Sequence, residues 1–332
     1  MNAPLISVVI VFLDAARHLE AAIESVRAQT WTDWELVLVD DGSTDAGTAL
    51  ARAWAAREPQ RIRYVEHAGH ANLGISASRN AGVAAARGAW VAFLDADDLW
   101  LPERLERHAA VIDAEPGVRL VQSCLEYWHS WAGDGTADET ELAPFGACRG
   151  RIEPPRALLL LLATRGATAP GICSVTIRRA DYLALGGCEP AFRNLFEDQV
   201  LLAKLYLEHP VYVMPDVLAR YRQHPASLVG QVGEAGLHAA RRTHLEWLET
   251  WLAGRGAVDT RVSRALRRAL FEYRYPRLWA LGQAPHELYA GLRRIGFAAL
   301  PAPLAARVRG WWRQRKRRGT ARLLARHRDR LT

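Results

Sequence analysis

Short apolar runs rich in β-branched residues alternate with helical patterns over the first third of the chain, and this alternation constrains the fold more than any other feature. Runs such as Ile6–Val11, Trp34–Val39 and Trp90–Leu94 are almost entirely apolar, which is typical of strands buried on both faces. Between them, apolar residues recur at the spacing of an amphipathic helix, as in Leu19–Val26. Strands and helices that alternate in this way form βαβ units. The sequence therefore predicts an α/β protein with a mostly parallel sheet.

The predicted elements become less regular after residue 113. The predicted strands are Ile6–Val11, Trp34–Val39, Ile62–Val65, Trp90–Leu94, Val118–Cys124 and Ile172–Ile177. The predicted helices are Leu19–Val26, Ala46–Ala56, Ser76–Ala86, Glu103–Asp113 and Phe196–Leu207. A segment rich in Gly, Asp and Pro, Ala132–Pro155, is predicted to be a solvated surface loop, and a helical pattern begins at Glu234.

Carboxylates cluster directly after two of the predicted buried strands. Asp40 and Asp41 follow the second strand, and Asp95, Asp97 and Asp98 follow the fourth. Open α/β sheets bind ligands beyond the carboxyl ends of their strands. An Asp-x-Asp turn at such a place can direct two oxygens at one Mg²⁺ or Mn²⁺ whose other ligands are diphosphate oxygens and water. The alternative for Asp40 and Asp41 is a structural turn with a helix cap.

Two further polar features lie in the second half of the chain. Glu197 and Asp198 open a predicted helix, where an acidic pair either stabilises the helix dipole or supplies a general base for an acceptor hydroxyl. His224 has three interpretations: a metal ligand, a phosphate contact or a structural residue. The motifs G-x-G-x-x-G and G-x-x-x-x-G-K-[ST] are missing from the sequence, which disfavours dinucleotide and P-loop chemistry.

The positive charge of the chain is concentrated at its C-terminal end. The formal net charge is +7, but residues 291–332 contain 13 Lys or Arg and one acidic residue, Asp329, so that segment carries +12 and residues 1–290 carry −5. This basic segment fits a solvated helical face or a surface that docks on an anionic bilayer. No recognition fold accompanies the charge, which disfavours nucleic acid as a partner.

The apolar runs are too short for a transmembrane helix. The longest purely apolar run, Ala157–Ala163, has seven residues, whereas a spanning helix needs roughly 18. The four cysteines are scattered without metal-binding spacing, which is typical of reduced thiols in a core. We therefore expect a cytoplasmic protein, with the basic segment as a candidate peripheral contact to the inner face of the membrane.

The order of these pieces resembles glycosyltransferase family 2, the large family of inverting nucleotide-sugar transferases with a GT-A fold. The resemblance is carried by SVVIVFLD (7–14), DDGSTD (40–45), NLGISASRNAG (72–82), LDADDLWLP (94–102), FEDQ (196–199) and YRQHPAS (221–227). It is strong from Ile6 to about His108 and looser from Cys173 to Leu228. It implies a Rossmann-like GT-A fold, with a mostly parallel central sheet flanked by helices and a helical C-terminal extension.

The resemblance also implies roles for residues in the first half of the chain. Asp41 would bind the nucleotide base, most often uracil, and Asp95 would contact the ribose. Asp97 would bind the metal on the diphosphate, with Asp95 as a further candidate ligand. Arg79 matches a position near the nucleotide. The implied cofactor is Mn²⁺ or Mg²⁺.

In the second half, Asp198 matches the catalytic base of the family, with Glu197 beside it, and His224 matches a histidine near the metal. One departure concerns the end of the first strand. Many members have Tyr-Asn where this chain has Leu13-Asp14. Asp14 is therefore a candidate nucleotide contact, while a stacking partner for the base is either missing or supplied elsewhere.

The implied function is metal-dependent, inverting transfer of a single sugar from a nucleoside-diphosphate sugar, UDP-linked above all, to a hydroxyl of a glycan or lipid-linked acceptor. Such a reaction belongs to the synthesis of cell-surface polysaccharide, lipopolysaccharide or another glycan. The Q-x-x-R-W motif of processive synthases is missing. Two alternatives stay open. One is a nucleotidyltransferase on a related fold, whose Gly-rich loop is replaced here by Phe12–Ala15; the other is a catalytically silent nucleotide-sugar-binding module.

The same comparison predicts the domain organisation. Residues 1–232 are expected to form the GT-A glycosyltransferase domain, divided into a nucleotide-binding half, 1–115, and an acceptor half, 116–232. Residues 233–332 are expected to form a helical, basic C-terminal region.

Overall fold

The computed structural model describes residues 5–140, 149–164, 169–225, 227–256 and 259–279. Within these ranges the strands are β1 Ile6–Phe12, β2 Trp34–Asp40, β3 Ile62–Glu66, β4 Trp90–Asp95, β5 Leu99–Trp100, β6 Leu120–Trp128, β7 Glu139–Thr140, β8 Gly150–Ile152, β9 Val175–Arg178 and β10 Val211–Arg222. The α-helices are α1 Ala16–Arg27, α2 Gly47–Arg57, α3 Ile75–Ala85, α4 Arg104–Ala114, α5 Arg156–Ala163, α6 Arg179–Ala184, α7 Glu197–Glu208, α8 Leu228–Gln231, α9 Glu234–Ala253 and α10 Thr260–Arg274.

All ten strands belong to one sheet, in the order β3-β2-β1-β4-β9-β6-β10-β5, with β7 on β6 and β8 on β10. The pairs β1–β2, β2–β3, β1–β4 and β6–β10 are parallel, whereas β9 is antiparallel to both β4 and β6. Because β9 is antiparallel to both neighbours, β4 and β6 run in the same direction. The six longest strands therefore share one direction, and their carboxyl ends meet at one edge of the sheet.

The strands predicted in the first half are present, and their apolar runs form the core. Every residue of β2 is buried, and β1 is buried apart from the half-buried Val11. The helices α1 and α2 bury their predicted faces, with Leu19 and Ile23 at 0% exposure. Parallel strands covered by helices on both faces are expected to show such continuous apolar runs.

The second half of the sheet contains elements that the sequence pattern does not predict. The 12-residue strand β10 is the longest of the described strands, and it carries Pro215 and Asp216 in its middle. The predicted strand Ile172–Ile177 forms only from Val175, since a 3₁₀ turn covers Ile172–Ser174. The segment Ala132–Pro155, predicted to be a loop, contains the short strands β7 and β8.

The chain divides into two compact units, Met1–Leu270 and Phe271–Thr332. The first unit contains the whole sheet and α9, whose residues Leu245, Leu248 and Leu252 are buried. The predicted functional boundary between residues 232 and 233 stays a prediction. The basic segment 291–332 lies outside the described residues, and none of the described helices combines the length and apolar character needed to cross a membrane.

Candidate active site

A cleft of about 870 Å³ opens at the edge of the sheet where the parallel strands end. Strand pairing brings its parts together, because Phe12 of β1 is in register with Asp40 of β2 and Val11 is in register with Asp95 of β4. The cleft is lined by every site residue that the sequence predicts: Asp14, Asp41, Arg79, Asp95, Asp97, Glu197, Asp198 and His224. The structure thus places these residues at one site.

Asp40 is part of the framework behind the cleft. Its carboxylate is fully buried and accepts hydrogen bonds from the backbone N–H of Ser43 at 2.8 Å and the hydroxyls of Thr48 at 2.5 Å and Tyr64 at 3.1 Å. Burial by itself raises the pKa of Asp40, but the bonds from Thr48 and Ser43 outweigh it and lower that pKa. The alternative of a structural turn therefore describes Asp40.

Asp41 lines the cleft and also anchors the loop that precedes α3. Its carboxylate accepts hydrogen bonds from the backbone N–H groups of Leu73 at 2.9 Å and Gly74 at 3.0 Å, and from the hydroxyl of Ser78 at 2.9 Å. The ring of His67 adds a contact, with Nε2 at 2.8 Å from Ser78 Oγ. A carboxylate held by this many donors has a defined orientation toward the cleft.

Asp14 holds the turn after β1 against the turn after β2. Its Oδ1 accepts hydrogen bonds from the backbone N–H groups of Thr44 at 2.6 Å and Asp45 at 3.2 Å, and from the Thr44 hydroxyl at 3.1 Å. The backbone bond from Thr44 is the main reason why the pKa of Asp14 is lowered. The neighbouring Leu13 is 45% exposed and lines the cleft, so an aliphatic side chain stands where many family members carry Tyr.

Arg79 connects a carboxylate at the end of β4 with a carboxylate at the start of α7. Its guanidinium, 2% exposed, donates to Asp95 Oδ1 at 2.9 Å and to Glu197 Oε1 at 2.8 Å. Burial lowers the pKa of Arg79, but the two carboxylates outweigh it and raise that pKa. Burial in turn raises the pKa of Asp95, against the opposing effect of Arg79. This bridge ties the end of β4 to the start of α7.

The turn after β4 meets the end of β10. His224 Nε2 lies 3.0 Å from Asp97 Oδ2, while Arg222 Nε donates to the backbone carbonyl of Asp97 at 2.6 Å and Arg222 N donates to Asp98 Oδ1 at 2.9 Å. The antiparallel pairing of β5 with β10 brings these segments together. Asp98 is fully buried, and its burial raises its pKa well above the ordinary value.

Asp97 and His224 form a two-donor set that fits a divalent cation. Both side chains are partly exposed to the cleft, at 31% and 13%. The carboxylate suits Mg²⁺ or Mn²⁺, and the imidazole is a nitrogen ligand common to first-row divalent metals. Among the residues that the structure describes, no group of three or more His, Cys, Asp or Glu could hold a metal ion. An ion at this pair would therefore take further ligands from water or from a bound diphosphate.

Asp198 lies on the opposite side of the cleft, at the N-terminal end of α7. Among the described residues its carboxylate accepts one hydrogen bond, from the backbone N–H of Gln199 at 2.6 Å. Burial, followed by the negative charge of Glu197, raises the pKa of Asp198 to about 7. A carboxylate with a pKa near neutrality is suited to accept a proton at physiological pH.

The cleft also contains residues that sequence reasoning missed. The ring of His18 lies 5.7 Å from that of His224 and 5.8 Å from that of Trp131, and Leu237 of α9 lines the wall. Trp131 Nε1 donates to the carbonyl of Gln223 at 2.9 Å. These residues come from elements far apart in the chain and belong to none of the quoted motifs.

The sequence model of one known protein family matches the first part of the chain. The sequence model described as "Glycosyl transferase family 2" matches residues 7–141. This segment contains β1 to β4 and the turn of Asp95 and Asp97. It ends before α7, so that Asp198 and His224 lie outside the matched segment.

Curated relatives match the same part of the chain. An uncharacterized glycosyltransferase of Nostoc is 47% identical over 116 residues, which cover 35% of this chain and 35% of the relative. The succinoglycan biosynthesis protein ExoO of Rhizobium meliloti is 41% identical over 113 residues, covering 34% and 31%. A PGL/p-HBAD biosynthesis glycosyltransferase of Mycobacterium bovis is 40% identical over 113 residues, covering 34% and 43%. The match thus spans well under two thirds of each of these relatives.

Solved structures resemble most of the chain. TarS 1-349 of S. aureus in complex with UDP-GlcNAc superposes with a TM-score of 0.59 at 17% identity, covering 86% of this chain and 78% of that one. The mannosyltransferase PcManGT of Pyrobaculum calidifontis, in complex with GDP-Man and Mn²⁺, superposes with a TM-score of 0.54 at 20% identity, covering 95% and 81%. At this identity the likeness establishes the fold alone, and it confirms the predicted GT-A fold class.

Proposed function

We propose that the chain transfers a single sugar from a nucleoside-diphosphate sugar to a hydroxyl group of an acceptor, with inversion at the anomeric carbon, because residues 7–141 match the sequence model of glycosyltransferase family 2. This match favours the predicted enzyme class, a glycosyltransferase, over the nucleotidyltransferase alternative. The observation that carries the proposal is the position of Asp198, with its pKa of about 7, in the same cleft as Asp41, Asp95 and Asp97.

The donor would lie along the carboxyl ends of β1, β2 and β4. Asp41 would accept from a base N–H and Asp95 from a ribose hydroxyl, with Arg79 holding Asp95 in place. A UDP-linked donor remains our first choice, and GDP-linked sugars are the second. Both kinds of donor accompany proteins of similar fold, UDP-GlcNAc in TarS and GDP-Man in PcManGT.

In the proposed step, the acceptor hydroxyl gives its proton to the carboxylate of Asp198. The hydroxyl oxygen then forms a bond to the anomeric carbon while the bond from that carbon to the diphosphate oxygen breaks and its electron pair leaves with the diphosphate. A single displacement of this kind inverts the configuration and requires one base. The carboxylate of Glu197 accepts a hydrogen bond from Arg79 at 2.8 Å. This bond would keep Glu197 turned away from the proton that Asp198 accepts.

Asp97 and His224, with Asp95 nearby, are the residues that would hold Mn²⁺ or Mg²⁺, which when bound supplies a Lewis acid for the charge on the departing diphosphate. Calorimetry with the nucleoside diphosphate tests this part of the proposal. Adding Mn²⁺ should tighten binding to the unaltered protein, and Asp97→Ala should abolish that gain. A gain of the same size in Asp97→Ala would remove Asp97 from the metal site.

The central test is Asp198→Asn, which keeps the shape of the side chain and removes the base. We expect turnover to fall by about 10² to 10⁴-fold, the usual contribution of general base catalysis, while donor affinity stays within about twofold because the proposal assigns Asp198 to the acceptor hydroxyl and not to the donor. The donor is first identified by thermal shift with a panel of UDP-, GDP- and dTDP-sugars and Mn²⁺. Release of nucleoside diphosphate from that donor then measures turnover.

Glu208→Gln is the matched control, since Glu208 ends the same helix and pairs with Arg255. This variant should keep normal turnover. Normal turnover in Asp198→Asn would instead exclude Asp198 as the base. If the unaltered protein binds the donor and never releases nucleoside diphosphate with any acceptor, the catalytically silent binding module is the correct alternative.

The acceptor and the place of action in the cell extend the same proposal. One relative is named for succinoglycan biosynthesis, which favours a growing glycan or a lipid-linked glycan as acceptor. The basic segment 291–332 would hold the cytoplasmic enzyme at an anionic membrane surface. Sedimentation with anionic liposomes, comparing the full chain with a chain truncated near residue 305, tests this contact; equal partitioning would contradict it.

A further inference from the structure

The segment that leads into α7, residues 188–196, is held on its inner side by α3. Asn80 Oδ1 accepts the backbone N–H of Cys188 at 2.9 Å, and Asn80 Nδ2 donates to the Cys188 carbonyl at the same distance. Ser76 Oγ donates to the carbonyl of Phe192 at 2.5 Å. Since α3 also carries Arg79, this side of the segment is fixed to the framework of the cleft.

The outer side of segment 188–196 is covered by α9. The ring of Trp247 packs edge to face on Phe192, with centroids 5.9 Å apart, and it also faces Lys204 of α7, whose Nζ lies 5.8 Å from the ring centre. One turn earlier in α9, the ring of His244 stacks on Phe196 at 5.6 Å and an interplanar angle of 29°. Each aromatic side chain of the segment therefore has a partner on α9.

Phe196 has an unusual backbone conformation directly before the acidic pair. Its φ of 63° and ψ of 9° lie in the left-handed region, which costs a residue with a side chain about 1–2 kcal/mol. Its carbonyl accepts the N–H of Val200 at 2.9 Å, so the first turn of α7 starts from this peptide. A strained residue persists only when its surroundings hold it in place, and the ring of His244 is its stacking partner.

His244 contributes a ring surface to this contact. Its side chain is buried at 3% exposure, and its Nε2 has no hydrogen-bond partner among the residues that the structure describes. Burial, and then the charge of Arg241, lowers the pKa of His244 to about 4, so the ring is neutral at physiological pH. A buried ring nitrogen without a partner costs stability, and the stacking on Phe196 is a favourable contact that this ring makes.

We propose that His244 is a positioning residue of the active site: by stacking on Phe196 it fixes the start of α7 and thereby the carboxylate of Asp198 in the cleft. The inference rests on the proposed function for the role of Asp198 and extends the site beyond residue 232 into α9. Leu237, two turns before His244 on the same helix, lines the cleft, so α9 forms part of the site in two places.

The test compares His244→Ala with His244→Phe. His244→Ala removes the ring and should lower kcat by about 10²-fold, the effect of a catalytic group displaced by roughly 1 Å, while the KM of the donor stays within about twofold. His244→Phe keeps a flat ring and should restore most of kcat. It should also unfold at a higher temperature than the unaltered protein, because it removes the nitrogen without a partner.

Leu252→Ala serves as the control for helix stability, because Leu252 is buried two turns further along α9. It should lower the unfolding temperature and leave kcat unchanged. Equal loss of kcat in Leu252→Ala and His244→Ala, or unchanged kcat in a folded His244→Ala, would overturn the proposal.

A crystal structure of His244→Ala separates this inference from the proposed function, since it needs no activity. We expect Phe196 to leave the left-handed region and the carboxylate of Asp198 to move. Unchanged positions of both residues would overturn the inference even if the protein is an active transferase. If both residues move in His244→Ala but the unaltered protein shows no transferase activity, the coupling of His244 to Asp198 would be upheld and the proposed function overturned.

Discussion

Carboxylates line both sides of the cleft, but the two sides hold them in different ways. At the ends of β1 and β2, Asp14 accepts three hydrogen bonds from residues 44 and 45, and its pKa is lowered. At the start of α7, Asp198 accepts one hydrogen bond within the described part of the chain, and burial raises its pKa to about 7. The same type of group is thus a permanent anion on one side and a titratable base on the other.

This difference follows from what surrounds each carboxylate. Turns after parallel strands present several N–H groups to a side chain, and such donors stabilise the charged form. Asp198 instead is buried next to the negative charge of Glu197, and both burial and that charge favour the neutral form. Asp14 therefore keeps its charge, whereas Asp198 can change its charge near neutral pH, as a group that removes a proton must.

Removing Arg79 should have the largest effect, because this residue joins the two sides of the cleft. Arg79→Met leaves two poorly exposed carboxylates, Asp95 and Glu197, without their shared cation, and breaking a buried ion pair typically costs 3–5 kcal/mol. We expect a loss of about 4 kcal/mol in the free energy of unfolding in urea at pH 7. The loss should shrink at acidic pH, because burial raises the pKa of Asp95 and protonation removes the negative charge that Arg79 pairs with.

Arg52→Met is the control for Arg79→Met, since Arg52 forms an exposed pair with Glu66 and exposed pairs contribute little to stability. A loss for Arg79→Met no larger than that of the control would show that the two sides of the cleft are independent.

Asp41→Ala should have the next largest effect and tests the side built on fixed charge. It leaves the N–H groups of Leu73 and Gly74 and the hydroxyl of Ser78 without their acceptor. Since each buried donor left unpaired costs about 1–3 kcal/mol, we expect a loss of about 3 kcal/mol in urea unfolding together with a loss of donor affinity in calorimetry. Unchanged stability with weaker donor binding would show that Asp41 binds the donor without bracing the loop.

The same contrast separates what could be predicted from the sequence from what could not. The first-half strands were predictable because parallel strands covered on both faces are continuous apolar runs, and their ends are marked by Asp41 and Asp95. Strand β10 was not predicted. It contains Pro215 and Asp216, which disfavour a strand, and its pairing with β6 shifts register between Val213 and Val217 and again before Ala219.

For the site, the quoted motifs contain the polar residues that line the cleft, but they do not show which of these residues contact one another, and they leave out α9. Asp97 and His224 lie in motifs, but their contact at 3.0 Å depends on the pairing of β5 with β10. The stacking of Phe196 on His244 joins α7 to a helix without any family motif. Contacts of this kind depend on tertiary packing, which local periodicity does not encode.

Glu197→Gln should have a smaller effect than Asp41→Ala, and the effect should show in the pH dependence of kcat. Asp198 is active when deprotonated, so kcat should rise with pH through about 7. The charge of Glu197 raises the pKa of Asp198, and Arg79 lowers it. Replacing Glu197 by the neutral amide removes the charge that raises the pKa of Asp198 and leaves the charge of Arg79 that lowers it. The acid limb of the kcat profile should therefore move to lower pH by about one pH unit. A limb that stays in place, or moves to higher pH, would contradict Asp198 as the titrating base.

Asp14→Ala should have the smallest effect. It tests whether Asp14 contacts the nucleotide directly or only holds the turn after β1 against the turn after β2. The three bonds of Asp14 are exposed, so water replaces much of their energy, and we expect a loss of about 1 kcal/mol at pH 7. Because the folded pKa of Asp14 is lowered, this contribution exists above the unfolded pKa and disappears as the pH falls through the folded value. Urea unfolding at pH 7 and pH 3 should therefore give a smaller difference between variant and unaltered protein at pH 3.

If Asp14 only braces the turn, donor affinity should fall by less than about threefold in Asp14→Ala, whereas a fall of tenfold, or about 1.4 kcal/mol, would mean that Asp14 contacts the nucleotide directly.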